Sequence, residues 1–465
     1  MIYTDGDTIC AISTPAGRGG IAVARISGQR AIDIAQAIWH GKALSDVASH
    51  TAHLGTVDDC HGEPLDQAVA TVFRAPRSFT GEDVVELSVH GSTYVQRALI
   101  AALIAAGARL AAPGEFTRRA FAARKMDLAQ AEAIADIIAA DSRAAHRLAA
   151  TQLRGSFSAQ LTELRRQLVD LASLLELELD FSEEDVEFAS RERLKVLAND
   201  IYKVVKHLHD SFSAGNAIKS GIPVAIVGPT NAGKSSLLNA LVGDDRAIVS
   251  DIHGTTRDTI EEVLAIGDYT FRLIDTAGIR HSDDSIEQIG IQRSLQAIER
   301  ASIVVVLNDI TTALPADSCD MIKRIARDTD KHVILALSKA DLAHSPIDIS
   351  GLKANLDTPD IVIETITTTR RDGIDSLRAA LQSIADEMSN HGVADIMVTN
   401  LRHAEALGAA AESTERVISG LRDGIPADLI AEDVRETIAH LSDITGDIPS
   451  SELLNTIFSR FCIGK

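Results

Sequence analysis

The sequence predicts a multidomain α+β and α/β protein in which an α/β domain is inserted into a helical one. Three textures predict it. From Met1 to about Phe121, short β-type runs such as Ile21 to Ile26 and Val84 to Val89 alternate with helices and are punctuated by Gly and Pro. From about Leu128 to Gly215 the chain is almost free of Pro and strongly helical, and it turns helical again from His403 onward. Between these halves, from about Gly221 to Met388, strand and helix patterns alternate, which implies a mostly parallel sheet covered on both faces. The expected partition is an α+β domain at 1–122, a helical domain at 123–217 and 387–465, and the inserted α/β domain at 218–386.

In the helical half, Leu161, Leu164, Leu168, Leu171 and Leu175 recur at alternating three- and four-residue steps, a narrow stripe for helix–helix packing. The acidic stretch Asp180 to Glu187 reads as a solvated helix end. In the α/β domain the strand candidates are Pro223–Val227, Thr270–Ile274, Ile303–Leu307, His332–Leu337 and Ile361–Ile366.

Composition narrows the function. The chain has 465 residues, enough for two to four domains with cores of their own. No apolar run approaches the ~20 residues needed to cross a bilayer, and no secretory leader is visible, so no membrane role is expected. Cys10, Cys60, Cys319 and Cys462 match neither a metal spacing nor a disulfide framework, which fits a reducing cytoplasm. A net charge of −21 excludes a nucleic-acid coat, because affinity for phosphate backbones depends on cations. The basic spots Arg118-Arg119 and Arg124-Lys125 are the local candidates for nucleic-acid contact, although a solvated helix face is the favoured reading of each.

The strongest chemistry lies in Gly228-Pro229-Thr230-Asn231-Ala232-Gly233-Lys234-Ser235, which matches the P-loop pattern and sits between a predicted strand and a predicted helix. Glycines let successive N–H groups turn toward phosphate oxygens, and the helix N-terminus adds positive potential. Lys234 is expected to reach the β- and γ-phosphates of a bound nucleotide, and the Ser235 hydroxyl to ligate Mg²⁺, with Ser236 in the same turn. Asp275-Thr276-Ala277-Gly278 follows the strand Thr270–Ile274, where a metal-side aspartate and a γ-phosphate-sensing glycine belong. Thr255-Thr256-Arg257-Asp258 supplies a second Mg²⁺ hydroxyl, placed at Thr256, that can let go after hydrolysis. Ser338-Lys339-Ala340-Asp341 closes the set: Asp341 can accept the two N–H donors that guanine offers and adenine does not, while the Lys339 stem lies across the base.

These motifs resemble those of the translation-factor-related branch of the Ras-like GTPases, with two departures. The base-reading motif begins with Ser338 instead of Asn, and Thr367-Thr368, followed by Thr369, stands in place of the usual Ser-Ala clamp. The Gln that orients water in Ras-type enzymes is Ile279 here. Asp283, Asp284 and Glu287 are candidates to replace it, or they line a solvated loop; Arg257 and Arg280 are candidate arginine fingers or surface salt-bridge partners.

Further segments carry a resemblance over the whole chain: Asp7-Thr8-Ile9, Thr14 to Gly20, Arg25-Ile26-Ser27-Gly28, Ser78 to Leu87, Pro113 to Thr117, Lys125 to Ala133 and the closing Phe461-Cys462-Ile463-Gly464-Lys465. Together they resemble the bacterial and mitochondrial tRNA uridine-5-carboxymethylaminomethyl modification GTPases, the MnmE or TrmE family. The resemblance implies an N-terminal domain that dimerises and binds 5-formyl- or methylene-tetrahydrofolate, a discontinuous helical domain and an inserted Ras-like GTPase domain. It implies a homodimer that works with a flavin-containing MnmG-type partner, as a heterotetramer, on the wobble uridine of certain tRNAs. The family's folate contacts fall on Arg25, Glu86, Lys125 and Lys465. Its potassium ion, which stands in for an arginine finger, would take the Asn231 side chain and oxygens of Ser250, Ile252 and Thr255 in the loop that also holds Asp251, His253 and Gly254. Its water-orienting carboxylate falls on Glu287. Thr230 and His253 depart from the family pattern. Cys462 reads either as a buried small residue or as a nucleophile.

Two other functions share parts of this pattern. A ribosome-assembly GTPase switch shares the potassium-type P-loop but tends to carry a basic RNA-binding appendage, which this sequence lacks. A folate-dependent aminomethyl transferase with an accessory GTPase would share the N-terminal region.

Overall fold

The computed structural model describes residues 6–180, 191–243, 262–274, 287–328, 330–343, 348–358, 361–370, 372–390, 396–446, 451–459, 461 and 464, with backbone alone at 177–180, 287–293 and 451–452. The chain divides into two compact units, Met1–Ala135 with Ser442–Lys465, and Asp136–Leu441.

The first unit is built on seven strands: β1 (Ile9–Ile12), β2 (Ile21–Ser27), β3 (Trp39–His40), β4 (Thr51–Asp58), β5 (Pro64–Phe73), β6 (Val84–His90) and β7 (Arg109–Leu110). Their order is β3-β4-β5-β6-β2-β1-β7, antiparallel except for β1 with β7. Alternation along β2 decides which face is covered. Ala22, Ala24 and Ile26 are buried beneath α1 (Ala31–Ala37) and α2 (Thr93–Ala105), together with Val85, Leu87, Leu99 and Leu103. Val23 and Arg25 point to the other face. There α3 (Glu115–Ala122) covers the β1 edge through Phe116, packed with Ile9 and Ala11. Farther across, Ile21 and Leu54 stay 68% and 65% exposed, so the middle of that face is open.

The chain's far end belongs to the same unit. Ile457, Phe458 and Phe461 pack on Leu128 and Ala131, and Ser13 Oγ donates to the Gly464 carbonyl at 3.1 Å. Gly464 has φ +98°, and a Cβ there would stand 2.2 Å from the Ile12 carbonyl, so only glycine lets the tail lie against β1.

In the second unit the leucine stripe behaves as its spacing predicts: Leu161, Leu164, Leu168, Leu171 and Leu175 are all buried in the helix Ser156–Asp180. The α/β part has six strands, β8 (Ile222–Val227), β9 (Glu262–Ile266), β10 (Tyr269–Ile274), β11 (Ile303–Asp309), β12 (His332–Ser338) and β13 (Val362–Thr365). Their order is β13-β12-β11-β8-β10-β9, with only β9–β10 antiparallel. The five predicted strands are all present. β9, which the sequence reading did not name, is the antiparallel edge added by a tight turn at Gly267-Asp268. The multidomain α+β and α/β class is therefore as expected. Two apolar layers hold the sheet, one around Phe271, Leu273 and Val305, the other around Val304, Val306 and Leu335.

Candidate active site

The C-terminal ends of β12, β11, β8 and β10 are neighbours, which is where ligands bind in open parallel sheets. The P-loop leaves β8. Gly228 opens it at φ +152°, and a Cβ there would sit 2.2 Å from the Leu307 carbonyl of β11. Asn231 and Gly233 also adopt positive φ, 63° and 96°, a sequence of turns that directs backbone N–H groups to one side. Gly233 then caps the helix Lys234–Val242, whose inner face is Leu237, Leu238 and Leu241 while Ser235 and Ser236 are exposed in its first turn.

Lys234 Nζ donates to the carbonyls of Gly228 and Pro229, both at 2.8 Å, so the ammonium spans the loop. Burial lowers its pKa from the ordinary lysine value, as expected for a cation drawn out of water.

The base-reading segment is tied to this loop. Ser338 is buried at the end of β12, and its hydroxyl donates to the Ala232 carbonyl at 2.7 Å, with the Asn308 carbonyl at 3.2 Å as a second acceptor. Ser338, the first residue of the base motif, thus links that motif to the P-loop. Lys339 follows with φ +58°, and Asp341 lies exposed in the short 3₁₀ turn Ala340–Leu342. The Ala340 N–H donates to the Ile366 carbonyl at 3.2 Å, which brings Thr367, Thr368 and Thr369 alongside. Thr367 is buried and donates its N–H to the Asp372 carbonyl.

The structure therefore brings together Asn231, Ala232, Gly233, Lys234, Ser235, Ser236, Ser338, Lys339, Ala340, Asp341 and Thr367 to Thr369. Ser250, Asp251, Ile252, His253, Gly254, Thr255, Thr256, Asp275, Thr276, Ala277 and Gly278 lie outside the described residues, as do Arg257, Ile279, Arg280, Asp283 and Asp284. Glu287 begins the helix Glu287–Arg300, with its side chain outside the description.

The second predicted cluster is in the first unit. Arg25 on β2 and Glu86 on β6 are directly paired across the strands, with Arg25 Nε and Nη2 each 2.8 Å from Glu86 Oε1. The guanidinium lies over the rings of Phe79 and Phe116, 5.4 and 5.7 Å from their centroids. Exposed Lys125 donates to the Pro76 carbonyl at 2.8 Å, on the loop that carries Phe79. Lys465 and Cys462 lie outside the described residues; Gly464 rests on Ile12, whose strand partner is Ala24, next to Arg25.

Sequence reasoning missed a charged network beside this cluster. Buried Glu115 bonds to Arg109 and Arg119, Asp7 bonds to the same two arginines, and Arg119 continues to Glu82. Burial pushes the Glu115 carboxyl upward, but Arg109, the Ala112 N–H and Arg119 outweigh it, and the net pKa is lowered. Cys10 is buried and its thiol is pushed up to about 11, so it is a core residue and not a nucleophile. Among the described residues no group of His, Cys, Asp and Glu is placed to hold a metal, and no helix is long and apolar enough to cross a membrane.

Comparison with known proteins covers the chain from end to end. A family model described as the MnmE helical domain matches residues 128–462, and one described as the GTP-binding protein TrmE N-terminus matches residues 8–125. The tRNA modification GTPase MnmE of Parabacteroides distasonis is 48% identical, over 98% of this chain and 100% of its own. The chain belongs to the MnmE family. The Cytophaga hutchinsonii MnmE is 43% identical over 99% of this chain and 98% of its own. Among solved structures, the G domain of the T. maritima FeoB iron transporter is 26% identical over 36% of this chain and 99% of its own, with a TM-score of 0.26. As a member of the MnmE family the chain is a GTP hydrolase of tRNA modification, and the P-loop segment is where its sequence and geometry meet that activity.

Proposed function

We propose that this chain is the potassium-dependent GTPase component of the complex that installs a carboxymethylaminomethyl or aminomethyl group at C5 of the wobble uridine of certain tRNAs, using a tetrahydrofolate one-carbon unit. The observation that carries the reading is the hydrogen bond from Ser338 to Ala232, which joins the base-reading segment to the phosphate loop in one frame. Lys234 and the loop N–H groups are the phosphate-binding groups for GTP, Asp341 is the group that reads the guanine edge, and Ser235 with Thr256 would hold Mg²⁺. The exposed Ser235 hydroxyl in the first helical turn and the exposed Asn231 amide suit a Mg²⁺ and a K⁺ ligand respectively. Potassium, held by Asn231 with Ser250, Ile252 and Thr255, would supply positive charge beside the phosphates. Glu287 orients the attacking water.

Arg25, Glu86, Lys125 and Lys465 are the residues assigned to the folate. Arg25 and Glu86, partly exposed beside the Phe79 ring, offer a cation, a carboxylate and an aromatic surface, which fits a charged, aromatic cofactor. When bound, the folate supplies the one-carbon unit. The open middle of the seven-stranded sheet, with Ile21 and Leu54 exposed, supports a homodimer formed through this domain. The flavin-containing partner and tRNA complete the complex, in the cytoplasm.

The test is a nucleoside profile, by mass spectrometry, of tRNA from cells lacking this gene. Loss of the 5-carboxymethylaminomethyl- or aminomethyl-uridines, restored by the intact gene and not by Glu287→Ala, is expected. An unchanged profile with ribosomal subunits accumulating unjoined would instead place the protein in ribosome assembly. Hydrolysis equally fast in sodium and potassium would reject the potassium role.

A further inference from the structure

The end of β11 faces the base-reading segment across one strand register, Asp309 opposite Ser338. Three hydrogen bonds hold the Asp309 carboxylate, and several more hold the main chain that carries it. Its Oδ1 accepts the Thr311 N–H at 2.9 Å and the Thr311 hydroxyl at 2.7 Å. Its main-chain carbonyl accepts the Thr312 N–H, the Thr312 hydroxyl and the buried Asn308 amide. The Ile310 N–H donates to the Ser338 carbonyl at 3.0 Å, which fastens the turn to the base motif. The remaining oxygen, Oδ2, receives Lys339 Nζ at 2.6 Å. Hydrogen bonding by Lys339, with help from Thr311, draws the Asp309 carboxyl down to about 2, so it is an anion throughout the working range of the protein.

We propose that Asp309 is the positioning residue of the base site, fixing the Lys339 ammonium so that its aliphatic stem is ordered before a guanine base stacks on it. The inference rests on the reading of Ser338 to Asp341 as the base-binding segment and adds a residue outside that motif. A lysine stem is among the most flexible side chains, and a base that packs on a free one must first still it. Anchoring the ammonium at its far end removes that freedom in advance, which is the general way preorganisation raises affinity. The carboxylate is itself locked by Thr311, so the anchor does not drift with the lysine.

The experiment measures binding of fluorescent GDP and ADP by the full-length chain and by Asp309→Asn, Lys339→Met and the double variant. Asparagine keeps an acceptor for Thr311, and methionine keeps an unbranched apolar stem without the charge. Asp309→Asn is expected to weaken GDP about tenfold, the scale of one charge-assisted contact, with competition by inorganic pyrophosphate unchanged. Lys339→Met is expected to lose as much, and adding Asp309→Asn to it to cost nothing more. Unchanged GDP affinity in Asp309→Asn or in Lys339→Met would overturn the proposal. So would an equal loss from Asp309→Asn with and without Lys339, which is the signature of a turn that merely holds the strand end. Equal affinity of the unaltered chain for ADP and GDP would defeat the base-site reading itself, a result visible before any substitution is made.

Discussion

Replacing Ser338 with alanine deletes one buried hydroxyl from the junction of β12 and the P-loop. The hydroxyl donates to the Ala232 carbonyl at 2.7 Å, and both residues are almost wholly buried, at 2% and 1% exposure, so water cannot take over the bond. A buried hydrogen bond contributes about 1 kcal/mol net, and a carbonyl left without its donor adds to the loss, for a total of about 1–2 kcal/mol. The loss divides between the stability of the free domain and its hold on nucleotide, because the bond joins two segments that both line the site. Calorimetric unfolding at saturating GDP captures the sum and is expected to shift by roughly 2–8 °C. Ser338→Thr retains the hydroxyl and is expected to recover most of the shift. Unchanged unfolding of Ser338→Ala, with and without GDP, would refute the reasoning that this serine ties the base motif to the P-loop.

Lys234→Ala is expected to lower the hydrolysis rate at least about 100-fold, as removal of one preorganised donor to a charged transition state does, with release of phosphate as the readout. Arg25→Ala is expected to weaken 5-formyltetrahydrofolate by about tenfold in calorimetric titration while leaving GDP affinity unchanged, since the two clusters share no residue. The pH response of the first unit follows from Asp7 and Glu115, whose pKa values are both lowered by Arg109 and Arg119 against the opposing push of burial. Their contribution is fully present above the unfolded carboxylate values near pH 4 and is lost as pH falls through the lower folded values. Trp39, the single tryptophan, is buried in this unit and reports its unfolding by fluorescence. Glu115→Gln is expected to cost about 3 kcal/mol at neutral pH and to flatten the acid limb of that curve.

The sequence carried the strand–helix alternation plainly: Pro223–Val227, Ile303–Leu307 and His332–Leu337 are nearly continuous apolar runs, and Thr270–Ile274 and Ile361–Ile366 are short β-rich runs broken by a polar residue or two. β9 escaped because Glu262–Ile266 alternates exposed and buried positions at a sheet edge, though Gly267-Asp268 is a two-residue hairpin signal. The P-loop was legible because its chemistry is local: strand, loop, lysine and helix are consecutive. Asp309 was not, since its meaning depends on a parallel register that sets it opposite Ser338, and no spacing along the chain announces a register. The same holds for Arg25 and Glu86. The family resemblance singled out both, but their direct pairing is a product of the antiparallel register of β2 and β6.

The tail that rests on β1 sets a timetable for biosynthesis. Residues 442–464 leave the ribosome only after the whole of 136–441 has been made, yet they complete the apolar cluster of Leu128, Ala131, Phe458 and Phe461 and supply the glycine against Ile12. Closing an unstructured connection of that length would cost about 5 kcal/mol in chain entropy, a cost that prior folding of the intervening unit reduces by replacing most of the flexible loop with compact structure. A nascent chain interrupted before residue 442 would therefore carry a folded nucleotide domain beside an unfinished sheet domain with its Phe458 and Phe461 seats empty. Such a product is a natural substrate for chaperones and proteases, and the nucleotide-binding half alone cannot certify that the molecule is whole.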